Sequence, residues 1–164
     1  MLTDTRRFIL ASLCAFLLVA IWNPLFTPVP AYSEESQPKK SLYERMGGYD
    51  VVSAIVEDSI PKLWDDPQTA SFFVGMGTDT REMLLQKNKN LMCYNTGGPC
   101  KPFNRPLEKV HAGLNVTDKE FNVLLQYIKK ALIKHHVGSQ EQDELMAKIE
   151  GLRPYIVQQK EKAK

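Results

Sequence analysis

One histidine of this chain lies in a pattern that could bind a metal or a cofactor. The chain has three histidines, and His111 is separate from the other two, within RPLEKVHAGLNVTDKEF at residues 105–121. Leu107, His111 and Leu114 are spaced i, i+4 and i+7, so a short helix ending near Gly113 would place the imidazole on an apolar face. Most histidines in such a position are buried and hydrogen-bonded within a core. The alternative is an imidazole that binds a metal or a cofactor through a ring nitrogen.

The other histidines and the cysteines give weaker signals. His135 and His136 adjoin the end of a long predicted helix, where the helix dipole favours cations. They lack a spaced partner for a metal site. Once Cys14 is set aside with the leader described next, Cys93 and Cys100 remain. A disulfide between them and a pair of free thiols are both compatible with the sequence.

The first 31 residues have the features of a secretory signal peptide. Two arginines precede an uncharged apolar run over residues 8–22, and the segment PVPA ends at Ala31. We predict cleavage after Ala31 and export to the periplasm or an equivalent extracytoplasmic space. The alternative is an uncleaved membrane anchor formed by residues 8–26, the one case in which we expect a membrane partner.

The charge balance excludes no globular function but argues against a polyanionic partner. The formal charge is +2 for the whole chain and falls to +1 when Asp4, Arg6 and Arg7 leave with the leader. A nearly neutral chain creates no strong field for nucleic acid, so we expect no nucleic-acid partner.

Helical periodicity dominates residues 41–157, which we predict to form one all-α domain. Residues 32–40 form a polar, proline-containing tether, and residues 158–164 form a charged tail. No stretch alternates with period two over more than a few residues, so strands are not expected. We predict about six helices.

Three of these helices carry clear apolar stripes. A stripe over residues 52–64 contains Pro61, which should bend the helix or end it. The helix that begins at Thr117 has a long stripe made of Phe121, Leu124, Leu125, Ile128 and Leu132. A further helix, which is not one of these three, is predicted from about Thr80 to Asn95. The last helix begins at Ser139 and is predicted to bury Leu145, Ile149, Leu152 and Ile156 along one side.

Several of the predicted helices are short and have well-defined starts. Ser41 with Glu44, and Thr117 with Glu120, have the spacing of capping boxes. Short, interrupted helices leave space at the centre of a small domain, and helical folds of this kind often hold a ligand or cofactor between their helices.

Four segments, taken in order and at their separations, resemble group I truncated haemoglobins. They are LYERMGG, SFF, NTGGPCK and VHAGLNVTDKEF, and the resemblance extends from Ser41 to about Val157. It implies a truncated-globin fold, a two-over-two helical sandwich around b-type haem. No CxxCH motif occurs, so we do not expect covalent attachment of the c type.

The resemblance assigns roles to residues around the haem. His111 matches the proximal histidine, whose Nε2 would bind the iron. Phe73 matches the phenylalanine that packs against haem in globins, with Phe72 beside it. Further apolar residues would line the proximal side: Leu107, Leu114 and Val116.

The distal side departs from the family pattern. Many group I members have Phe-Tyr on the second helix, where the tyrosine hydroxyl donates to the bound gas, but this chain has Ser59 and Ile60. Leu84, Lys87 and Asn88 would face the distal haem, followed by Leu91 and Met92. Asn88 is the best remaining donor. Lys87 could be a solvated surface lysine, a partner for a haem propionate, or a sixth iron ligand.

Three functions are compatible with these observations. The first is reversible binding of a diatomic gas (oxygen, nitric oxide or carbon monoxide) at the haem iron. The second is a haem redox protein or enzyme for nitric oxide dioxygenation, peroxidase-like chemistry or electron transfer, which would need an unidentified reductant. The third is a haem-free helical interaction module. The sequence favours binding over catalysis, because the tyrosine that would hold oxygen is missing.

Overall fold

The domain is built from short helices joined by tight turns, in a computed structural model that describes residues 39–101 and 105–158. Within these ranges there are eight α-helices, one short 3₁₀ helix and no strand. In chain order they are α1 (Leu42–Met46), α2 (Gly48–Ser59), α3 (Lys62–Asp65), the 3₁₀ helix (Ala70–Phe73), α4 (Thr78–Asn95), α5 (Leu107–His111), α6 (Asp118–Lys134), α7 (Ser139–Glu150) and α8 (Arg153–Ile156). The predicted leader and most of the tether and tail lie outside the described residues.

Two of the helix starts follow directly from capping residues. Ser41 Oγ accepts a hydrogen bond from Glu44 N, and Glu44 Oε2 accepts one from Ser41 N at 2.7 Å. The same reciprocal arrangement joins Thr117 and Glu120 at the start of α6. Each box satisfies backbone donors that a helix start leaves unpaired, so both predicted capping boxes are confirmed.

Glycine is required where α1 meets α2. Gly47 ends α1 with φ +108°, and a Cβ at this position would come within 2.8 Å of Val51 Cγ2. An L side chain would therefore be strained by its backbone and would also collide with α2. This glycine turns the chain within a single residue, so that the two helices pack against each other.

Prolines lie at two points where an apolar stripe is divided between two helices. The predicted bend at Pro61 is confirmed, because α2 stops at Ser59 and α3 begins at Lys62. The predicted last helix is wrong in length: it breaks after Glu150, and α8 follows with Pro154 near its start. A proline at 154 can donate no hydrogen bond to the carbonyl of residue 150 and clashes with it, so one continuous helix is excluded.

The core lies where α2 crosses α6. Both helices also have a second partner: α2 packs on α4, and α6 packs on α7. The largest fully buried side chains come from these helices and include Ile55, Phe121, Leu132 and Leu145. The result is one pair of helices on another, with the short α5 and α8 packed together. None of the helices in the described ranges is long and apolar enough to cross a membrane.

A disulfide closes the turn that follows α4. Cys93 in the last turn of α4 is bonded to Cys100, with the two Cα atoms 5.8 Å apart. Of the two alternatives that the sequence left open, the structure therefore has the disulfide.

Acid should weaken the packing of α2 against α6 through Asp58. Lys134 Nζ donates to both Asp58 carboxylate oxygens at 2.8 Å, and His135 Nε2 contacts Oδ2. The Lys134 hydrogen bond, followed by that of His135, holds the Asp58 pKa below its ordinary value of 3.8. Such a carboxyl stabilises the fold above its unfolded pKa, and this stabilisation is lost as the pH falls through the lower, folded pKa.

We therefore expect Asp58→Asn to lower the free energy of unfolding at pH 7 by up to about 1 kcal/mol. The substitution should also make the unfolding free energy less steep with pH below about pH 4. Urea unfolding across a pH series measures both effects. Asp50→Asn, which changes an exposed carboxylate of the same helix, is the control. An equal response in the two variants would show that the Asp58 contacts contribute nothing specific.

Candidate functional site

His111 lies in the last turn of α5, the helix that its surrounding sequence predicted. Pro106 precedes the helix, and Gly113 with φ +80° follows its end. His111 Nδ1 lies 2.9 Å from the carbonyl oxygen of Leu107, one turn back. A carbonyl oxygen only accepts, so we assign the ring proton to Nδ1. The neutral imidazole then has its lone pair on Nε2, which is the form of histidine that binds a metal.

Two apolar cavities meet at His111. The first has a volume of about 910 Å³ and the second about 890 Å³, counting space open to solvent. Five residues line both cavities: Leu84, Val110, His111, Leu124 and Ile156. The imidazole is therefore the polar group at the junction of an extended apolar space.

Most of the residues that the sequence analysis selected line this space. Leu84 and His111 line both cavities. Asn88 and Leu107 line the first cavity. Four more line the second cavity: Phe72, Phe73, Leu114 and Val116.

Lys87 is the exception among the selected residues. It is exposed and lines neither cavity. Successive helix residues are rotated by about 100°, so the neighbouring Asn88 faces the first cavity while Lys87 does not. A sixth iron ligand would have to reach into this space, so the geometry favours the surface and propionate roles over ligation.

The first cavity has few polar groups. Ile60 lines it at the position where the resemblance expects tyrosine, and it brings no donor. The neighbouring Ser59 is fully buried, and its hydroxyl donates to Ile55 O at 2.6 Å within α2. Asn88 Nδ2 donates to Leu84 O at 2.9 Å, which uses one of its two hydrogens. The second hydrogen remains for a ligand in the cavity.

The charged groups of the two cavities have opposite signs. Lys148 lines the first cavity, whereas Glu120 lines the second. Burial of the Glu120 carboxyl opposes ionisation, but hydrogen bonds from Thr117 outweigh this and leave its pKa below the ordinary value. Glu120 therefore keeps its negative charge beside the second cavity.

Sequence reasoning missed several lining residues. Val110 lies one turn of helix from Leu107 and could have been found from spacing alone. Ile149 and Ile156 were assigned to a core stripe, which gave no sign that they also face a cavity. Lys148 had no signal at all, since a lone lysine on an amphipathic helix is an ordinary surface residue.

The other histidines take no part in this site. His135 pairs with Asp58, and His136 is exposed with φ +54°. In residues 39–101 and 105–158, no group of three or more His, Cys, Asp or Glu side chains could hold a metal ion. The apolar space that His111 lines fits a metal held within a cofactor that brings its other ligands.

Comparison with known proteins identifies the family of this chain. A family profile described as "Bacterial-like globin" matches residues 41–158, more than two thirds of the chain. The group 1 truncated hemoglobin GlbN of Mycolicibacterium paratuberculosis is 28% identical over 116 residues, which cover 71% of this chain and 83% of that protein. GlbN of Nostoc commune is 22% identical over 120 residues, covering 71% and 97%.

Solved structures share the fold. Truncated hemoglobin from Tetrahymena pyriformis in its Fe(III) form superposes with a TM-score of 0.66 at 21% identity, covering 73% of this chain and all of that one. The 2/2 hemoglobin from Synechococcus, in the cyanomet state with covalently attached heme, superposes with a TM-score of 0.62 at 25% identity and covers 71% and 95%. The chain therefore belongs to the bacterial-like globin family, with the two-over-two helical fold of truncated haemoglobins, and membership of that family implies haem iron as its cofactor.

Proposed function

We propose that this globin is a binding protein for a diatomic gas (oxygen, nitric oxide or carbon monoxide), with His111 as the protein ligand of the haem iron. The observation that carries the proposal is the position of His111 at the junction of two apolar cavities, with Nδ1 held by the Leu107 carbonyl. Haem supplies the iron at which the gas binds. The chain supplies the Nε2 lone pair, the apolar walls and the few polar groups near the gas.

The Leu107 carbonyl has a defined part in this arrangement. By accepting from Nδ1 it fixes the orientation of the ring and leaves Nε2 free of its proton. A hydrogen bond of this kind also makes the opposite nitrogen a better donor to a metal. Because the carbonyl belongs to the same helix, the ring stays oriented for as long as α5 is formed.

The aromatic and aliphatic walls would hold the flat faces of haem and exclude water. Phe72 and Phe73 line the second cavity, and Leu84 and Leu107 line the first. Burial of apolar surface contributes roughly 25 cal/mol per Å², so a large planar ligand gains much of its affinity here. These side chains need no special chemistry, only their shape and their distance from water.

The scarcity of donors in the first cavity favours gases that need little hydrogen bonding. Nitric oxide and carbon monoxide bind haem without help from a donor, whereas oxygen is retained better when a donor is close. Val56 and Ile60 supply none, and the side-chain donors that line this cavity besides His111 are Asn88, Asn95 and Lys148. Asn88 has one amide hydrogen left to donate and lies one helical turn from Leu84, which lines both cavities together with His111. Asn88 is therefore the residue we expect to set how long oxygen stays.

Asn88→Leu is expected to speed oxygen dissociation about tenfold, since a net hydrogen bond of about 1–1.5 kcal/mol is lost. Carbon monoxide dissociation should change little, because this ligand accepts hydrogen bonds weakly. Stopped-flow displacement of each gas measures both rates. Asn90→Leu makes the same change on the same helix at a residue that lines neither cavity. Equal rates in wild type and Asn88→Leu would show that the amide does not contact the gas.

Absorption spectra of the haem-loaded chain, ferric and ferrous, with and without carbon monoxide, test the proposal as a whole. A five-coordinate ferrous spectrum that shifts on adding carbon monoxide is expected. Lys87→Ala should leave the spectra unchanged, because Lys87 is exposed and lines neither cavity. A six-coordinate spectrum that becomes five-coordinate in Lys87→Ala would favour a redox role, and no uptake of haem would reject the proposal.

A further inference from the structure

The disulfide between Cys93 and Cys100 lies at the edge of the cofactor site. Met92 and Asn95, which flank Cys93 on α4, both line the first cavity. Cys93 itself is fully buried in the main core, and Cys100 packs against that core from a half-buried position. The bond therefore closes the turn at the end of a helix that forms one wall of the cavity.

The disulfide-closed turn, residues 93–100, is tightly fitted onto α1. Tyr43 N donates to Thr96 O at 2.8 Å. A Cβ at Gly98 would come within 2.6 Å of both Cys93 Sγ and Tyr43 Cδ2, so the turn has a sulfur on one side and an aromatic ring on the other. Only glycine fits at that point, and the sulfur atom is part of the contact.

We infer that the Cys93–Cys100 bond is a thiol-sensitive lock on the haem site: its reduction loosens the end of α4, where Met92 and Asn95 line the first cavity, and thereby weakens haem retention. The inference rests on the proposed function for its haem readout. Neither cysteine lines a cavity, so the inference gives them a role beyond the cavity lining.

The reaction is an ordinary exchange with a dithiol. A thiolate of the dithiol attacks the half-buried Cys100 Sγ, forms a mixed disulfide and releases Cys93 as a thiolate, which then takes up a proton. The second thiol of the reagent then closes its own disulfide and releases Cys100. The dithiol loses two electrons and the protein disulfide gains two. Cys93 is buried, so attack at Cys100 is the open route.

Haem loss from the loaded full-length protein gives the first test. Transfer of haem to excess apomyoglobin is followed with and without dithiothreitol, and alkylation with mass analysis verifies that both cysteines are reduced. Reduction should speed haem loss about tenfold, the lower end of the effect that outer-shell changes have on metal affinity. The double variant Cys93→Ala/Cys100→Ser should lose haem at the rate of the reduced wild type and should not respond to dithiothreitol.

Hydrogen exchange of the same protein gives a test that does not depend on haem. The amides of the last turn of α4 should exchange about tenfold faster after reduction, while those in the middle of α6 should not change. If reduction changes neither haem loss nor exchange, the inference is overturned. If the protein takes up no haem but exchange rises as expected, the proposed function fails while the effect of the disulfide on α4 stands.

Discussion

Replacing His111 with glycine is expected to raise the dissociation constant for haem by at least about hundredfold, equivalent to about 2.8 kcal/mol. The substitution removes the Nε2 lone pair, and the other residues common to both cavities are aliphatic and cannot replace it. The apolar walls remain, so some haem should still enter by burial alone. Titration of the apoprotein with haem, followed in the Soret band, measures the change.

Two comparisons separate loss of the ligand from loss of the fold. Free imidazole added to His111→Gly should restore the spectrum of the wild type, because the missing ring leaves space beside the iron. His136→Asn changes an exposed histidine and keeps a residue type that tolerates φ +54°, so its haem affinity should equal that of wild type. A wild-type spectrum in His111→Gly without imidazole would reject His111 as the iron ligand.

The helix that carries His111 could be predicted because its main signals are local. The helix carrying His111 is defined by Pro106, by the apolar spacing from Leu107 and by Gly113, all within one short segment. The hydrogen bond that orients the ring also spans a single turn, from His111 to Leu107. Local signals of this kind do not depend on how the rest of the chain packs.

The walls of the cavities depended on longer-range packing and were predicted less well. Asn88 and Lys87 are neighbours in sequence, but one lines the first cavity and the other is exposed. An error of one residue in the register of α4 exchanges these roles, and a weakly amphipathic helix gives little to fix that register. Lys148 belongs to α7, and only the packed fold shows that it lines the same cavity as Asn88 and His111.

The break between α7 and α8 shows how one overlooked residue can change a functional surface. The stripe through Leu145, Ile149 and Ile156 continued the helical period, and this favoured a single helix. Pro154 was the contrary signal, because a proline cannot continue the hydrogen bonding of the preceding turn. The break matters to the site, since α8 packs on α5 and its Ile156 lines both cavities.

Phe121→Ala is expected to cost about 3–5 kcal/mol of the free energy of unfolding, the usual range for a buried aromatic residue. Phe121 is 1% exposed in the main core, and the Arg153 guanidinium lies 4.4 Å from its ring centroid. Truncation to alanine leaves a cavity that the surrounding helices cannot close and removes the surface on which Arg153 stacks. Urea unfolding of the haem-free protein, with an unchanged m-value, gives the loss directly.

The same variant also tests whether the core and the haem site share a residue, because Phe121 lines the second cavity as well as the core. Haem that binds only the folded state raises the unfolding free energy. The increase grows with the ratio of the haem concentration to its dissociation constant. If the Phe121 ring also contacts haem, the variant binds haem more weakly. The difference in unfolding free energy between wild type and variant is then larger when haem is present. Phe72 is a half-buried ring in the same cavity. Phe72→Ala should therefore lower the unfolding free energy less than Phe121→Ala does without haem, and should lower it clearly when haem is present. A Phe121→Ala loss of unfolding free energy that is the same with and without haem would mean that this ring supports the fold alone and does not contact haem.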